Sequence, residues 1–383
     1  MTSSMEHSLK SFCDKLYGEA ILSQKGNYEN VFLSPVSLYS VMAMVLAGGE
    51  GETKEQMLTA LELNRTLGRD ALHNSIGSAV RVCLKSSPGV TVSFGNRIYA
   101  QHDASILPQY KAIVLGDYDA DVENVDFTKT EAARKDINQW VSEKTKEKIR
   151  ELIPSGVLGP DTCVAIINAL YFKGSWEIEF PKEATAKDKF HLLDGSRKEV
   201  FMMYKESEFH STVLAELDSV AVKLPFRQSK WEMFVIVPNK KDGLKSLLPK
   251  LQSEGLTKAL SASFTKQTTA VFLPRFKLTE STVDAKELLT KLGMSSVFSR
   301  TTADLSKMCS SRSLFISDIK HKAILEVDEE GAEAAAASAA IAVPMCLVIP
   351  EIQVKADHPF VVALVYDDKI PIFVGHVTDP EVN

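Results

Sequence analysis

Apolar residues recur with the spacing of a helix in the first part of the chain. At the N-terminus, charged residues separate such a set, which consists of Met5, Leu9, Phe12, Leu16 and Ala20. This pattern predicts an amphipathic surface helix rather than the apolar core of a secretory signal. Ser34-Pro35 has the form of an N-cap followed by proline at the first helical position, and it predicts a buried helix through Ala47. A long charged helix is predicted over residues 131–152.

The pattern changes to strands in the rest of the chain. Val164 to Phe172 is a nearly continuous apolar run that contains Asn168, which is typical of a strand buried on both faces. Similar runs occur at Val220–Leu224, Trp231–Val237, Thr269–Leu273, Ala323–Val327, Phe360–Val365 and Ile370–Val374. Helical patterns near 242–252 and 284–292 interrupt them. Helices first and strands later predict an α+β fold. Because no linker or repeat divides the chain, we expect one domain over residues 1–383.

Composition narrows the class of protein. Of the 383 residues, 45% are hydrophobic and 25% charged, which excludes disorder as the dominant state. The net charge of −6 gives no attraction to nucleic acid or to anionic membranes. Five scattered cysteines without a CxxC pair predict a reducing compartment and neither a metal site nor a cofactor. We therefore expect a cytoplasmic protein, with export that needs no cleaved signal as the alternative, and no use of the sequon at Asn64.

Residues 326–350 admit two interpretations. Seven of the nine residues from Ala332 to Ala340 are alanine, so local propensity favours a surface helix. Read with a period of two, however, one alternating set contains only small side chains. This set is Ala332, Ala334, Ala336, Ser338, Ala340 and Ala342, and the other is Glu333, Ala335, Ala337, Ala339, Ile341 and Val343. A strand of this kind could enter an existing sheet with its small face buried.

At this point the chain resembles the serpins. Segments similar to family signatures occur in family order, at Asn30–Met57, Asn168–Trp176, Ala303–Ser306, His321–Ser338, Asp357–Phe360 and Phe373–Pro380. The resemblance is strongest to the intracellular ovalbumin-type (clade B) branch. It implies about nine helices around three β-sheets, with an exposed reactive-centre loop over about residues 331–350, near the C-terminus.

The resemblance also implies a mechanism. A serine protease would attack the Met345 carbonyl, form an acyl-enzyme before Cys346, and be trapped when residues 332–343 insert into the main sheet as a new strand. The hinge of this loop would be Glu329, Glu330, Gly331, Ala332, Glu333, Ala334, Ala335, Ala336, Ala337 and Ser338. The loop tip would be Ala342, Val343 and Pro344.

The residue before the scissile bond predicts the target. Met345 suits a medium-sized apolar pocket, so elastase-like proteases come first and chymotrypsin-like ones second. Trypsin-like proteases are disfavoured because no Lys or Arg lies between Glu330 and Pro350. Cys346 stands where the family usually has Ser or Thr. Cleavage after Cys346 or Leu347 therefore stays an alternative, with chymotrypsin-like or cathepsin-like cysteine proteases as targets.

Two groups of scaffold residues carry over from the family. The central cluster, beneath the point where strands part, would be Ser34, Ser37, Asn168 and His321. The upper cluster would be Trp176, Glu329 and Arg275, with Glu329 paired to Arg275. Disrupting either should lower stability or convert the expected monomer to polymers, because a sheet that accepts its own loop can accept a neighbour's. For the central cluster, the alternative is four buried polar groups that are unrelated to one another. For Glu329 and Arg275, the alternative is an ion pair at the surface.

Other classes of function have less support. GxSxG, HExxH, P-loop and GxGxxG motifs are missing from the sequence, so we do not expect an enzyme. Arg65, Arg69, Arg81 and Lys85 are too dispersed to predict a glycosaminoglycan site. The serious alternative is a non-inhibitory serpin that serves as a storage, carrier or chaperone protein. Small hinge residues, including Ala332 and Ser338, favour inhibition.

Overall fold

The computed structural model describes residues 1–278, 284–310, 314–331 and 350–380. These ranges contain nine α-helices and fourteen strands. The helices are α1 Ser3–Ser23, α2 Pro35–Leu46, α3 Gly51–Ala60, α4 Arg69–Cys83, α5 Pro108–Tyr118, α6 Thr130–Lys144, α7 Leu244–Glu254, α8 Leu256–Leu260 and α9 Ala285–Lys291. The strands are β1 Val31–Leu33, β2 Val90–Gln101, β3 Asp121–Val125, β4 Val164–Gly174, β5 Ala186–His191, β6 Arg197–Leu214, β7 Ser219–Pro225, β8 Trp231–Pro238, β9 Thr265–Pro274, β10 Phe276–Leu278, β11 Asp318–Val327, β12 Ile352–Lys355, β13 Phe360–Tyr366 and β14 Ile370–Val377.

The described strands form two hydrogen-bonded sheets. One has five strands in the order β10-β11-β4-β2-β3, and in it β11 and β4 are parallel neighbours. The other has nine, in the order β1-β14-β13-β8-β7-β6-β9-β12, with β5 also on β6. Three sheets were expected, and the number differs because the 18-residue β6 pairs with β5 at its start and with β7 at its end. The α+β class is confirmed.

Helix α2 runs through the interior. Ser34 caps it by accepting a hydrogen bond from the Ser37 backbone N–H at 3.4 Å, and Pro35 occupies the first turn, as predicted. All twelve residues of the helix are buried. On the opposite face of the five-stranded sheet, α6 and the segment after it cover β4 with a second apolar cluster that includes Ile137, Ile167 and Ile324. Strand β4 is therefore buried on both faces, as its apolar run predicted.

One expectation about the elements was wrong. The helix predicted over 131–152 ends at Lys144, because Lys146 and Glu147 adopt positive φ angles of 51° and 62°. The Thr145 hydroxyl stabilises this turn, donating to the Val141 carbonyl at 2.8 Å and accepting from the Ile149 N–H at 3.1 Å. Strand β2 lies in a region that the pattern indicated to be mostly helical. Its side chains are buried on both faces, so no alternation marks it as a strand.

Among the described residues, no helix is both long enough and apolar enough to cross a membrane. The same part of the chain contains no group of three or more His, Cys, Asp or Glu side chains that could hold a metal ion.

Candidate functional site

The chain makes a tight turn at the end of β11. The Gly331 N–H donates to the Asp328 carbonyl at 3.3 Å, and Gly331 has a φ of 98°, which L-residues rarely adopt. A Cβ at this position would lie 2.3 Å from the Gly174 carbonyl oxygen and 2.6 Å from the Trp176 nitrogen. The positive φ and the lack of room for a Cβ both require glycine at position 331. Gly331 lies beside the end of β4.

A buried carboxylate anchors this turn. Glu329 is 3% exposed, and its two oxygens accept from Arg275 Nε at 2.7 and 2.8 Å. The Thr185 hydroxyl donates to the same carboxylate at 2.6 Å. Burial by itself raises the pKa of Glu329, but the hydrogen bonds from Arg275 and Thr185 outweigh it and hold that pKa below its usual value. The carboxylate is therefore charged at neutral pH, and its stability depends on Arg275.

Trp176 joins the turn to the end of β4. Its backbone N–H donates to the Glu330 carbonyl at 3.1 Å, and its indole Nε1 donates to the Asp328 carbonyl at 2.9 Å. The ring is 1% exposed and stacks on Phe226 at 4.7 Å. Lys182 forms an ion pair with Glu330 on the outside. The upper cluster thus brings together the three residues that the sequence predicted for it, which follow the ends of β4, β9 and β11.

The four residues of the central cluster also lie together, lower on the same strand pair. His321 and Asn168 are paired across β11 and β4, and Asn96 faces Asn168 across β2. The Asn168 amide donates to Asn96 and to Ser37, and its carbonyl oxygen contacts His321 Nδ1. Asn96 was missed in the sequence. Its polar side chain, one of several within Val90–Gln101, was its only signal.

The hydrogen bonds assign the protonation state of His321. The Ser34 backbone N–H donates to Nε2 at 3.1 Å, so Nε2 carries no proton and Nδ1 donates to Asn168. Burial lowers the pKa of His321 to about 4, so the ring is neutral at pH 7. Ser34 in turn donates from its hydroxyl to the Ile372 carbonyl at 2.8 Å. The central cluster therefore links β11, β4, α2 and β14 through one polar network.

Comparison with known proteins identifies the family. The family described as "Serpin (serine protease inhibitor)" matches residues 7–380. The chain belongs to the serpin family. Human leukocyte elastase inhibitor is 36% identical over 368 residues, covering 94% of this chain and 95% of that protein. Human serpin B3 is 34% identical over 352 residues, covering 88% and 90%. The crystal structure of Serpin48 from the insect Tenebrio molitor superposes with a TM-score of 0.87 at 31% identity, covering 99% and 98%.

These relatives confirm the resemblance to clade B serpins, and they correct one expectation. The prediction that the chain is not an enzyme was drawn only from missing motifs. The relatives replace that negative with a positive description, because human leukocyte elastase inhibitor is named for inhibition of a protease. The lack of enzyme motifs does not by itself show what a serpin does to a protease.

The described residues include only part of the predicted loop of this serpin. Glu329, Glu330 and Gly331 are placed as stated above. Residues 332–349, which hold the rest of the hinge, the tip at Ala342–Pro344 and the bond between Met345 and Cys346, lie outside the described residues. The described residues resume at Pro350, just before β12.

Proposed function

We propose that this serpin inhibits serine proteases as a suicide substrate, by insertion of residues 332–343 between β4 and β11 after cleavage at Met345. The observation that supports this most directly is the position of the Asp328–Gly331 turn. This turn follows β11 immediately, and Gly331 lies against the end of β4. A segment that continued from Gly331 between these two strands would run antiparallel to both.

Insertion would change the strand partners of β4 and β11, and this change gives insertion a driving force. At present β4 and β11 pair in parallel over Asp318–Leu325 and Ala165–Phe172. An inserted strand would replace this one parallel ladder with two antiparallel ladders, which are slightly more stable per residue. Twelve residues that gain ladder hydrogen bonds at about 1 kcal/mol each supply on the order of 10 kcal/mol. The intact protein is then held by a barrier rather than by depth in free energy.

The central and upper clusters supply that barrier. The network of His321 and Asn168 spans β11 and β4 directly, so the two strands cannot separate without breaking it. Glu329 and Trp176 hold the start of the loop against the top of the same pair. We assign both clusters the role of delaying insertion until cleavage releases the loop.

The target follows from Met345. An unbranched apolar side chain favours elastase-like proteases over chymotrypsin-like ones, and the name of human leukocyte elastase inhibitor supports the same order. Cleavage after Cys346 or Leu347, and inhibition of a cathepsin-like cysteine protease, are the alternatives within this mechanism. We propose that the serpin acts as a monomer in the cytoplasm. A storage, carrier or chaperone role is the rival function.

Incubation with neutrophil elastase tests the proposal. We expect an adduct that survives a denaturing gel and a released peptide whose N-terminal sequence begins at Cys346. A released peptide without an adduct would instead favour the non-inhibitory alternative. If the N-terminal residue is Leu347 or Val348, the assignment of the scissile bond is wrong while the mechanism stands.

Paired variants separate the mechanism from general damage to the loop. Ala336→Glu places a charge in the set of small residues, where burial costs several kcal/mol, so we expect cleavage without an adduct. Ala337→Glu adds the same charge in the set that already contains Glu333, and the adduct should persist. Equal adduct yields from the two variants would contradict insertion of this segment with its small face buried.

A further inference from the structure

A pocket of about 490 Å³ lies on the outer side of the five-stranded sheet, beside α6. The segment after α6 forms one wall, and β10 and β11 form the other. Five cationic side chains line it, which are Lys148, Arg150, Lys277, Lys320 and Lys322. Glu151 is the one carboxylate among the described lining residues. This concentration of positive charge contrasts with the net charge of −6 for the whole protein.

Strand geometry explains why these side chains share one face. Ile324 belongs to the apolar cluster beneath α6, whereas Ala323 and Leu325 belong to the core on the other side of the sheet. Because side chains alternate along a strand, Lys320 and Lys322 lie on the same face as Ile324.

The neighbouring strand adds a third lysine to this face. Lys277 is paired with Glu326 across the β10–β11 ladder, and Glu326 is two residues beyond Ile324. Lys277 therefore faces the segment after α6, together with Lys320 and Lys322.

Three of the five cations already have a carboxylate partner. Lys320 pairs with Asp318 at 2.6 Å, and Lys277 pairs with Glu326 at 2.6 Å. Arg150 lies 3.8 Å from Glu147, which is long for an ion pair, and both side chains are largely exposed.

The carboxylate in the lining, Glu151, forms an ion pair with Arg134 at 3.0 Å. Its charge is therefore compensated outside the set of five cations. The remaining two lysines of the lining also have contacts. Lys148 Nζ lies 5.4 Å from the Tyr171 ring, and Lys322 Nζ donates to the Glu151 carbonyl at 3.3 Å.

We propose that this pocket binds a small polyanion that carries at least two phosphate or sulfate groups. Its volume falls in the range of small-molecule sites, roughly 300–1,000 Å³. Several lysine ammonium groups and one guanidinium can donate charge-assisted hydrogen bonds to such groups at once. A monovalent anion would engage too few of the five cations to compete with water and salt.

The position of the pocket gives the ligand a regulatory effect, which rests on the proposed function. Lys148 stands over Tyr171 of β4, while Lys320 and Lys322 belong to β11. An anion held by both walls ties the segment above β4 to β11. Since an inserting strand must part β4 from β11, the bound anion slows insertion and diverts more of the serpin to simple cleavage.

Titration calorimetry on the full chain tests the binding site without any protease. The probes are inorganic tripolyphosphate and sucrose octasulfate. We expect Lys148→Gln/Lys322→Gln to weaken binding by about tenfold or more, because two charge-assisted contacts are lost. Lys111→Gln/Lys369→Gln removes the same charge from exposed positions outside the pocket and should leave affinity within about twofold.

Each result decides something about the site. Binding of tripolyphosphate alone assigns a phosphorylated ligand, and binding of the octasulfate alone assigns a sulfated one. Failure of both probes to bind at millimolar concentration, or equal losses in the two double variants, would overturn the site.

A second measurement tests the regulatory effect. The number of serpin molecules consumed per elastase inhibited should rise with tripolyphosphate for the wild type and stay constant for Lys148→Gln/Lys322→Gln. An unchanged number with bound anion overturns the regulatory effect and leaves the site intact. If no adduct forms even without anion, the proposed function fails and the regulatory effect with it, while the calorimetric result still stands.

Discussion

Removing Arg275 should destabilise this serpin far more than removing a comparable surface cation. Arg275→Met keeps much of the side-chain volume but leaves the Glu329 carboxylate, 3% exposed, without its cation. Breaking a buried pair in this way costs about 3–5 kcal/mol. Arg275 is itself 37% exposed and Thr185 still donates to Glu329, so we expect a smaller loss, about 2 kcal/mol.

Urea unfolding followed by tryptophan fluorescence measures this loss. With an m value of about 3 kcal/mol/M, a loss of about 2 kcal/mol lowers the midpoint by roughly 0.7 M. Lys187→Met is the matched control, because Lys187 pairs with Glu199 at 2.7 Å while both side chains are more than 60% exposed. Surface pairs of this kind contribute about 0–1 kcal/mol, so that midpoint should move by at most about 0.3 M.

A third variant isolates the reason for the effect. Arg275→Met/Glu329→Gln removes the carboxylate together with its partner, so no uncompensated buried charge remains. We expect it to recover at least half of the loss. Two results would refute the reasoning: a double variant as unstable as Arg275→Met, or an Arg275→Met midpoint that matches that of Lys187→Met.

Three further predictions concern Gly331, two buried histidines and Met345. Gly331→Ala should lower the free energy of unfolding by about 2 kcal/mol or more in the same urea assay, since φ is positive there and the Cβ would lie 2.3 Å from the Gly174 oxygen. Stability should fall as the pH is lowered from about 6.5 toward 4, because His321 and His73, whose native pKa values are both about 4, bind protons only when the chain unfolds. Mild oxidation should weaken elastase inhibition through the sulfoxide of Met345, as measured by inhibition kinetics.

Each of these has its own control. Gly26→Ala also removes a glycine of positive φ, but its Cβ would meet no atom within 4 Å, so it should cost less than Gly331→Ala. His321→Gln should flatten the acid dependence by up to about 1.4 kcal/mol per pH unit, and an unchanged slope would contradict the assigned ring state. Nine of the ten described methionines are buried, so Met345→Leu should make inhibition insensitive to oxidant. If that variant loses activity equally, another residue is responsible.

Local signals in the sequence were sufficient for some elements. The apolar run from Val164 identified β4, because that pattern depends on burial alone. The Ser34-Pro35 cap identified α2, because the contacts of the cap are local. Helix α6 was predicted too long because it is followed by a turn in which Lys146 and Glu147 adopt left-handed backbone angles. Neither residue is a glycine, so the sequence does not mark the turn.

Contacts between distant segments were beyond the same reasoning. Asn96 joins the central cluster only because β2 is in register with β4, and strand register is not visible in either segment alone. The five cations of the basic pocket come from three segments, and each looks like an ordinary solvated charge in its own sequence. The pairing of Glu329 with Arg275 was expected only from the family resemblance.

The position of the last two strands in the nine-stranded sheet has a consequence for biosynthesis. β13 and β14 do not extend that sheet but fill its interior between β8 and β1, and Val31 pairs with His376. A nascent chain therefore has a vacant slot in the sheet until β14 has left the ribosome, although the helices α1 to α9 precede it in the chain. The sheet of this serpin is therefore completed only after β14 emerges, and a chain that stalls before β14 would present two unsatisfied strand edges to chaperones and to other nascent copies.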